Sequence, residues 1–146
     1  MSDAVLEKLN EKSVLVRYAR SAFKAIKDKL TCIEPDCEVV PGITAIDARG
    51  HTPGQIAVIV SSSGEKLMYI SDVVFNPLHL KHPDWLPIQR YMVEPEEYVK
   101  TKYRILDKAA DENMLVSAMH FPPALSLGHV IKQDDRWKWQ PIGIKE

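Results

Sequence analysis

Apolar residues after Ser13 recur at helical spacing. Leu15, Ala19, Ala22, Phe23, Ile26 and Leu30 fall on one side, while Arg17, Arg20, Lys24, Lys27 and Asp28 mostly face elsewhere. That period predicts an amphipathic helix with Ser13 as its N-cap. Pro35 and the Pro41-Gly42 pair then punctuate a change to short β-branched runs, predicting strands over 38–40, 43–48, 56–61 and 67–70, with Ser62-Ser63-Gly64 as a hairpin turn. From Ser71 to Glu94 the chain carries Pro77, Pro83 and Pro87 without a sustained period and reads as one long loop.

Pro95 at a first helical position, with Glu96 and Glu97 in the first turn, predicts a second helix with Val99, Tyr103, Leu106 and Ala110 on its apolar face. Residues 114–119 follow as a buried strand, and 129–132 and 137–140 as two more around an Asp134-Asp135 turn. With 146 residues, 45% of them hydrophobic, the chain has enough material for one core and too little for two ordinary domains. The expectation is a single α/β (α+β) domain over residues 1–146.

Nineteen basic against 20 acidic residues, with no long run of one sign, give no electrostatic reason to expect nucleic acid or a membrane surface as a partner. No apolar run approaches bilayer length, and the Met1-Ser2-Asp3-Ala4 start lacks the basic and apolar regions of a secretory leader. A cytoplasmic location is the expectation. Cys32 and Cys37 lack a second cysteine pair that would complete a thiolate metal site, and in a reducing compartment both remain thiols.

Three polar residues stand just beyond the C-terminal ends of apolar strands: His51, Asp72 and His120. Reactive groups collect at such positions because the strand fixes the backbone while the next loop leaves the side chain open to a ligand. In Gly50-His51-Thr52-Pro53-Gly54 the glycines permit tight geometry and Pro53 restricts its neighbour, a rigidity suited to a metal ligand. Asp72 directly follows a buried strand, where its carboxylate needs a counter-charge, a metal or several hydrogen bonds. Taken singly, a histidine at a strand end is more often a hydrogen-bonded structural residue than a ligand, and an aspartate there is often a turn or cap residue.

In the order Gly-His-Thr-Pro-Gly, Ser-Asp and His-Phe-Pro, the three resemble the second half of the metallo-β-lactamase superfamily signature. The likeness runs from the first long helix, through residues 38–45 and Asp72-Val73-Val74, to the closing Trp137-Lys138-Trp139. It implies one half to two-thirds of an αββα sandwich, a mixed sheet packed by helices. It also implies that His51 binds a first metal, that Asp72 bridges two metals as the catalytic carboxylate, and that His120 binds the second. Trp85, Leu86 and Tyr91 would border the substrate entrance, or simply pack their loop onto the domain.

The chain departs from that pattern in one respect. The family's His-x-His-x-Asp-His motif, which precedes the region matching the first helix and brings most of the metal ligands, has no counterpart here. His79, His82 and His129 do not reproduce its spacing, although the three-residue interval between His79 and His82 would suit ligands on a helix.

Zinc needs about three protein ligands and an open position. The expectation is therefore at most one Zn²⁺ per isolated chain, held by His51, Asp72 and His120 if they converge, or none. Three readings follow. The chain is a truncated hydrolase-like domain, inactive alone or completed by a partner segment for ester, lactone or thioester hydrolysis of a small-molecule substrate. It is instead a non-catalytic binding module on the same scaffold, or a fragment without selected function. A complementing segment or a homo-oligomer would cover the edge strand and apolar face left open.

Overall fold

The computed structural model describes residues 14–87 and 92–143, with side chains from residue 17 onward. The chain divides into two compact units, the first ending at Glu34 and the second beginning at Pro35. The first unit holds helix α1, Val14–Ile26, which tightens into a 3₁₀ turn over Lys27–Lys29 and gives way to extended backbone at Leu30. The strongly one-sided spacing of its apolar residues produces the helix, and Lys24 in its last turn complements the negative end of the helix dipole. The expected cap, Ser13, lies outside the described residues.

The second unit is built on one seven-stranded sheet whose spatial order follows the sequence: β1 (Cys37–Val40), β2 (Ile43–Asp47), β3 (Ile56–Ser62), β4 (Glu65–Tyr69), β5 (Leu115–Ser117), β6 (Leu127–Gln133) and β7 (Arg136–Pro141). Every neighbouring pair is antiparallel except β4 and β5, which run parallel. A parallel join needs a crossover, and α3 (Pro95–Asp111) supplies it. The β3–β4 connection turns on Ser63 and Gly64, both at positive φ, as a tight two-residue hairpin requires. Asp134 takes the positive φ in the β6–β7 turn. Both expected turns are therefore present.

One face of the sheet makes the core. Ile46, Ala57, Ile59, Met68, Val116, Val130 and Trp137 project from successive strands against Ile105, Leu106 and Ala109 of α3. The helix begins with Pro95 at its start and Glu96 and Glu97 in its first turn, as expected. Its buried stripe, however, is Tyr98, Thr101, Lys102, Ile105, Leu106 and Ala109. Of the predicted face, Leu106 lies in this stripe and Tyr103 and Ala110 pack against the core partly buried beside it. Thr101 and Lys102 are polar, yet both are buried because each finds a backbone acceptor: Thr101 Oγ1 donates to Arg49 O at 2.7 Å, and Lys102 Nζ donates to Pro83 O and Trp85 O at 2.6 and 2.8 Å.

The described part of the segment from Ser71 to Glu94 is also more ordered than a single loop. A 3₁₀ turn spans Ser71–Val73 and a short helix, α2, spans Leu78–Lys81. Val73, Val74, Leu80 and Met92 are buried, and α2 packs against β7. Single turns are too short to show a period in sequence, which is why the segment read as irregular. Strand alternation places Ile43, Val58, Leu67, Tyr69 and Leu115, all half-buried, on the sheet's second face, together with the exposed Val60, Leu127 and Ile131.

Candidate active site

Strands β2, β4 and β5 run in the same sense, since β2 and β4 are each antiparallel to β3 and β5 is parallel to β4. Their C-terminal ends therefore open on one rim of the sheet. His51, Asp72 and His120 all follow those ends, and the topology alone brings them to one side of the fold.

Each is aimed by local backbone. The β2–β3 turn closes through Ala48 N–H to Gln55 O at 3.0 Å and Gln55 N–H to Thr52 O at 3.2 Å. Gly50, at φ +133°, lets the turn lie directly on the backbone of Tyr98 in α3, where a Cβ would collide. Val93 N–H donates to His51 O at 3.3 Å and Glu94 N–H to Gly50 O at 3.0 Å, tying the approach to α3 onto this turn.

Asp72 is turned off the end of β4 by Ser71, which holds a left-handed φ of +49°. The Tyr98 hydroxyl donates to Val73 O at 2.8 Å and fixes the next residue. Burial, and then the charge of Asp72, hold the Tyr98 phenol far above its usual range, so it remains a neutral donor. His120 leaves β5 through a turn closed by Ala118 N–H to Ser126 O at 2.8 Å and Phe121 N–H to Ala118 O at 3.1 Å.

His120 bonds to Asp72, and the rings of His51 and His120 both contact a fourth residue, Phe75. His120 Nε2 lies 2.6 Å from Asp72 Oδ1, with both side chains about one-third exposed (33% and 31%). Because a carboxylate only accepts, the imidazole Nε2–H is the donor. The Phe75 ring stacks flat on His120, with centroids 4.2 Å apart and planes at 16°, and meets His51 edge-on at 5.4 Å and 63°. His51 Nδ1 is buried without a hydrogen-bond partner, as are Nε2 and Oε1 of Gln55 at the end of the same turn. Phe75, Tyr98 and Gln55 were not legible as site residues. The one available signal was an aromatic residue three positions beyond Asp72.

The remaining sequence candidates lie elsewhere or serve other contacts. His79 sits in α2 with its Nδ1 buried and unpartnered. Burial and the neighbouring Lys102 charge both lower its pKa. His82 ends α2 and stacks on Trp85, centroids 4.1 Å apart. Trp85 shares a cleft of about 150 Å³ with Tyr103, Asp135 and Arg136. The β6–β7 turn lies beyond the opposite end of the sheet from His120, so Trp85 is not brought to the His51, Asp72 and His120 cluster. Leu86 is half-buried, and Tyr91 lies outside the described residues.

A zinc centre of the kind implied by the sequence resemblance does not fit these side chains as they stand. Zinc requires three or more protein donors converging at about 2.0–2.2 Å. Here Asp72 and His120 are bonded to each other and Phe75 contacts both histidine rings. Among the described residues, no group of three His, Cys, Asp or Glu could hold a metal ion.

No family model matches the chain, and no curated protein matches it. Solved structures do. The chain is similar to AidC, a dizinc quorum-quenching lactonase in complex with a product, with a TM-score of 0.79 and 24% identity over 90% of this chain and 44% of that one. It is similar to the hydrolase AbOPH of the beta lactamase superfamily, at 0.79 and 22% over 100% of this chain and 52% of that one. A probable metal-dependent hydrolase from Staphylococcus aureus follows at 0.64 and 20%, over 82% and 42%. The fold is that of the metallo-β-lactamase hydrolases, as the strand-end motifs implied. The chain spans about half the length of the first two structures.

Proposed function

We propose that this chain is a metallo-β-lactamase-type hydrolase scaffold that contributes His51, Asp72 and His120 to a zinc-dependent site completed by ligands from outside the described residues. Its reaction class is hydrolysis of an ester, lactone or thioester in a small molecule, and the isolated chain is inactive. The observation that carries this reading is that His51, Asp72 and His120 follow three strand ends on one rim, with His120 bonded to Asp72 and both histidine rings against Phe75. Two features support it. AidC is a dizinc lactonase of the same fold, which makes a lactone the first substrate to test. The second sheet face, with Val60, Leu127 and Ile131 exposed, offers an apolar surface for a completing segment or a second copy.

A second reading is favoured by the Asp72–His120 hydrogen bond itself, which satisfies both groups without any further ligand. On that reading the chain is a non-catalytic binding module.

Hydrolysis of an acyl lactone and of a nitrophenyl ester, measured with Zn²⁺ and with or without an added polypeptide bearing a His-x-His-x-Asp-His motif, separates the two. The hydrolase reading expects no turnover by the chain alone. It expects zinc-dependent turnover on complementation, lost in Asp72→Asn and His120→Ala. Absence of turnover in every combination favours the binding module.

A further inference from the structure

We propose that Phe75 is the residue that keeps the isolated chain from taking a metal ion, its ring standing as a spacer between His51 and His120. The inference rests on the reading of His51, Asp72 and His120 as one donor set and adds what controls that set.

The geometry supplies the reason. A first-row metal ion bound by all three side chains would draw their donor atoms to about 2 Å from a common point. The Phe75 ring lies flat on His120 at 4.2 Å and touches His51 by its edge at 5.4 Å, so it fills the approach of one imidazole toward the other. His120 answers by giving its Nε2–H to Asp72. Meanwhile His51 keeps a buried Nδ1 without a partner. A buried polar atom left unpaired costs on the order of 1–3 kcal/mol. The resting arrangement thus leaves His51 uncommitted beside a closed Asp72–His120 pair.

Phe75 is placed to move without disturbing the fold. On one side Val73 N–H donates to Ile70 O at 3.1 Å and Val73 O accepts from the Tyr98 hydroxyl. On the other, Asn76 Oδ1 accepts from Leu78 N–H at 2.9 Å and Asn76 O accepts from His79 N–H at 2.9 Å. The backbone is pinned before and after the residue, while the ring itself is only half-buried. Rotation about its own side-chain bonds would withdraw the ring from the two histidines while the backbone on either side stays pinned.

The test uses the whole chain and cobalt(II) as the probe, followed by its visible absorption, with circular dichroism to report folding. Phe75→Ala should bind Co²⁺ at least tenfold more tightly than the unaltered chain, and Phe75→Ala combined with His51→Ala should lose that gain. Phe75→Leu should show a smaller gain that also depends on His51, and it carries the test alone should the alanine variant fail to fold. A folded Phe75→Ala protein with unchanged or weaker Co²⁺ affinity overturns the proposal. So does a gain that survives removal of His51. Tighter cobalt binding without hydrolysis on complementation would leave the spacer role standing while the catalytic reading falls.

Discussion

His120 Nε2 and Asp72 Oδ1 stand 2.6 Å apart although α2, α3 and β5 intervene between the two residues in the chain. The contact exists because β4 and β5 are parallel neighbours joined by the α3 crossover, so residues leaving their C-terminal ends meet on the same rim. The fold therefore sets the pair, and its partners decide what it does.

Because both side chains are about one-third exposed, the pair is screened and contributes little to stability, about 0–1 kcal/mol. Asp72→Asn should shift the urea midpoint only slightly, while removing any metal response of the protein. A loss well above 1 kcal/mol in equilibrium urea unfolding would show that the pair is structural.

Gly50 should tolerate no side chain. A Cβ there would run into the backbone of Tyr98, and its φ of +133° is one that L residues rarely adopt. Gly50→Ala should destabilise the protein by about 3 kcal/mol or more and release the His51 turn from α3. Thermal unfolding of the variant, with hydrogen exchange at Val93 and Glu94, checks both parts.

Ser71 tests whether backbone strain aims Asp72. Its φ of +49° is comfortable for glycine and poor for a β-branched residue. Ser71→Gly should leave stability within about 1 kcal/mol of the parent, whereas Ser71→Val should cost on the order of 1–3 kcal/mol. Equal denaturation midpoints for the two variants would contradict this account.

Lys102 gives the pH dependence. Burial lowers its pKa from 10.5 to about 8, partly opposed by the charge of Asp84. The folded state thus holds this proton less tightly than the unfolded chain. The penalty is fully present below about pH 8 and diminishes as pH rises from 8 to 10.5, a gain of up to about 2–3 kcal/mol. Lys102→Met lacks that gain, so the stability difference between parent and variant should move in the parent's favour across this window. Urea unfolding at pH 7 and pH 10 measures it, and an unchanged difference would refute it.

The strands, both hairpin turns and the start of α3 were legible because β-branched runs, Gly-containing turn signals and Pro95 act locally. The rim positions of His51, Asp72 and His120 were legible for the same reason: each follows an apolar strand. What failed depended on distant partners. The buried stripe of α3 was hidden by Thr101 and Lys102, polar residues whose acceptors at Arg49, Pro83 and Trp85 lie far away in sequence. Phe75 is not legible because nothing local distinguishes a ring that packs a loop from one that lies against two histidines. The family resemblance sets Trp85 at the substrate entrance or packing its loop, and in the structure it shares a cleft with Asp135 and Arg136 of the β6–β7 turn.

The central claim, that His51, Asp72 and His120 serve one zinc-dependent site completed from outside, is tested most directly by following imidazole nitrogen signals in NMR spectra while Zn²⁺ is added to the chain together with a polypeptide bearing a His-x-His-x-Asp-His motif. The account predicts that His51 and His120 shift along a single binding curve, and that Asp72→Asn abolishes both responses. Separate curves for the two histidines, or shifts confined to His79 and His82, would contradict it.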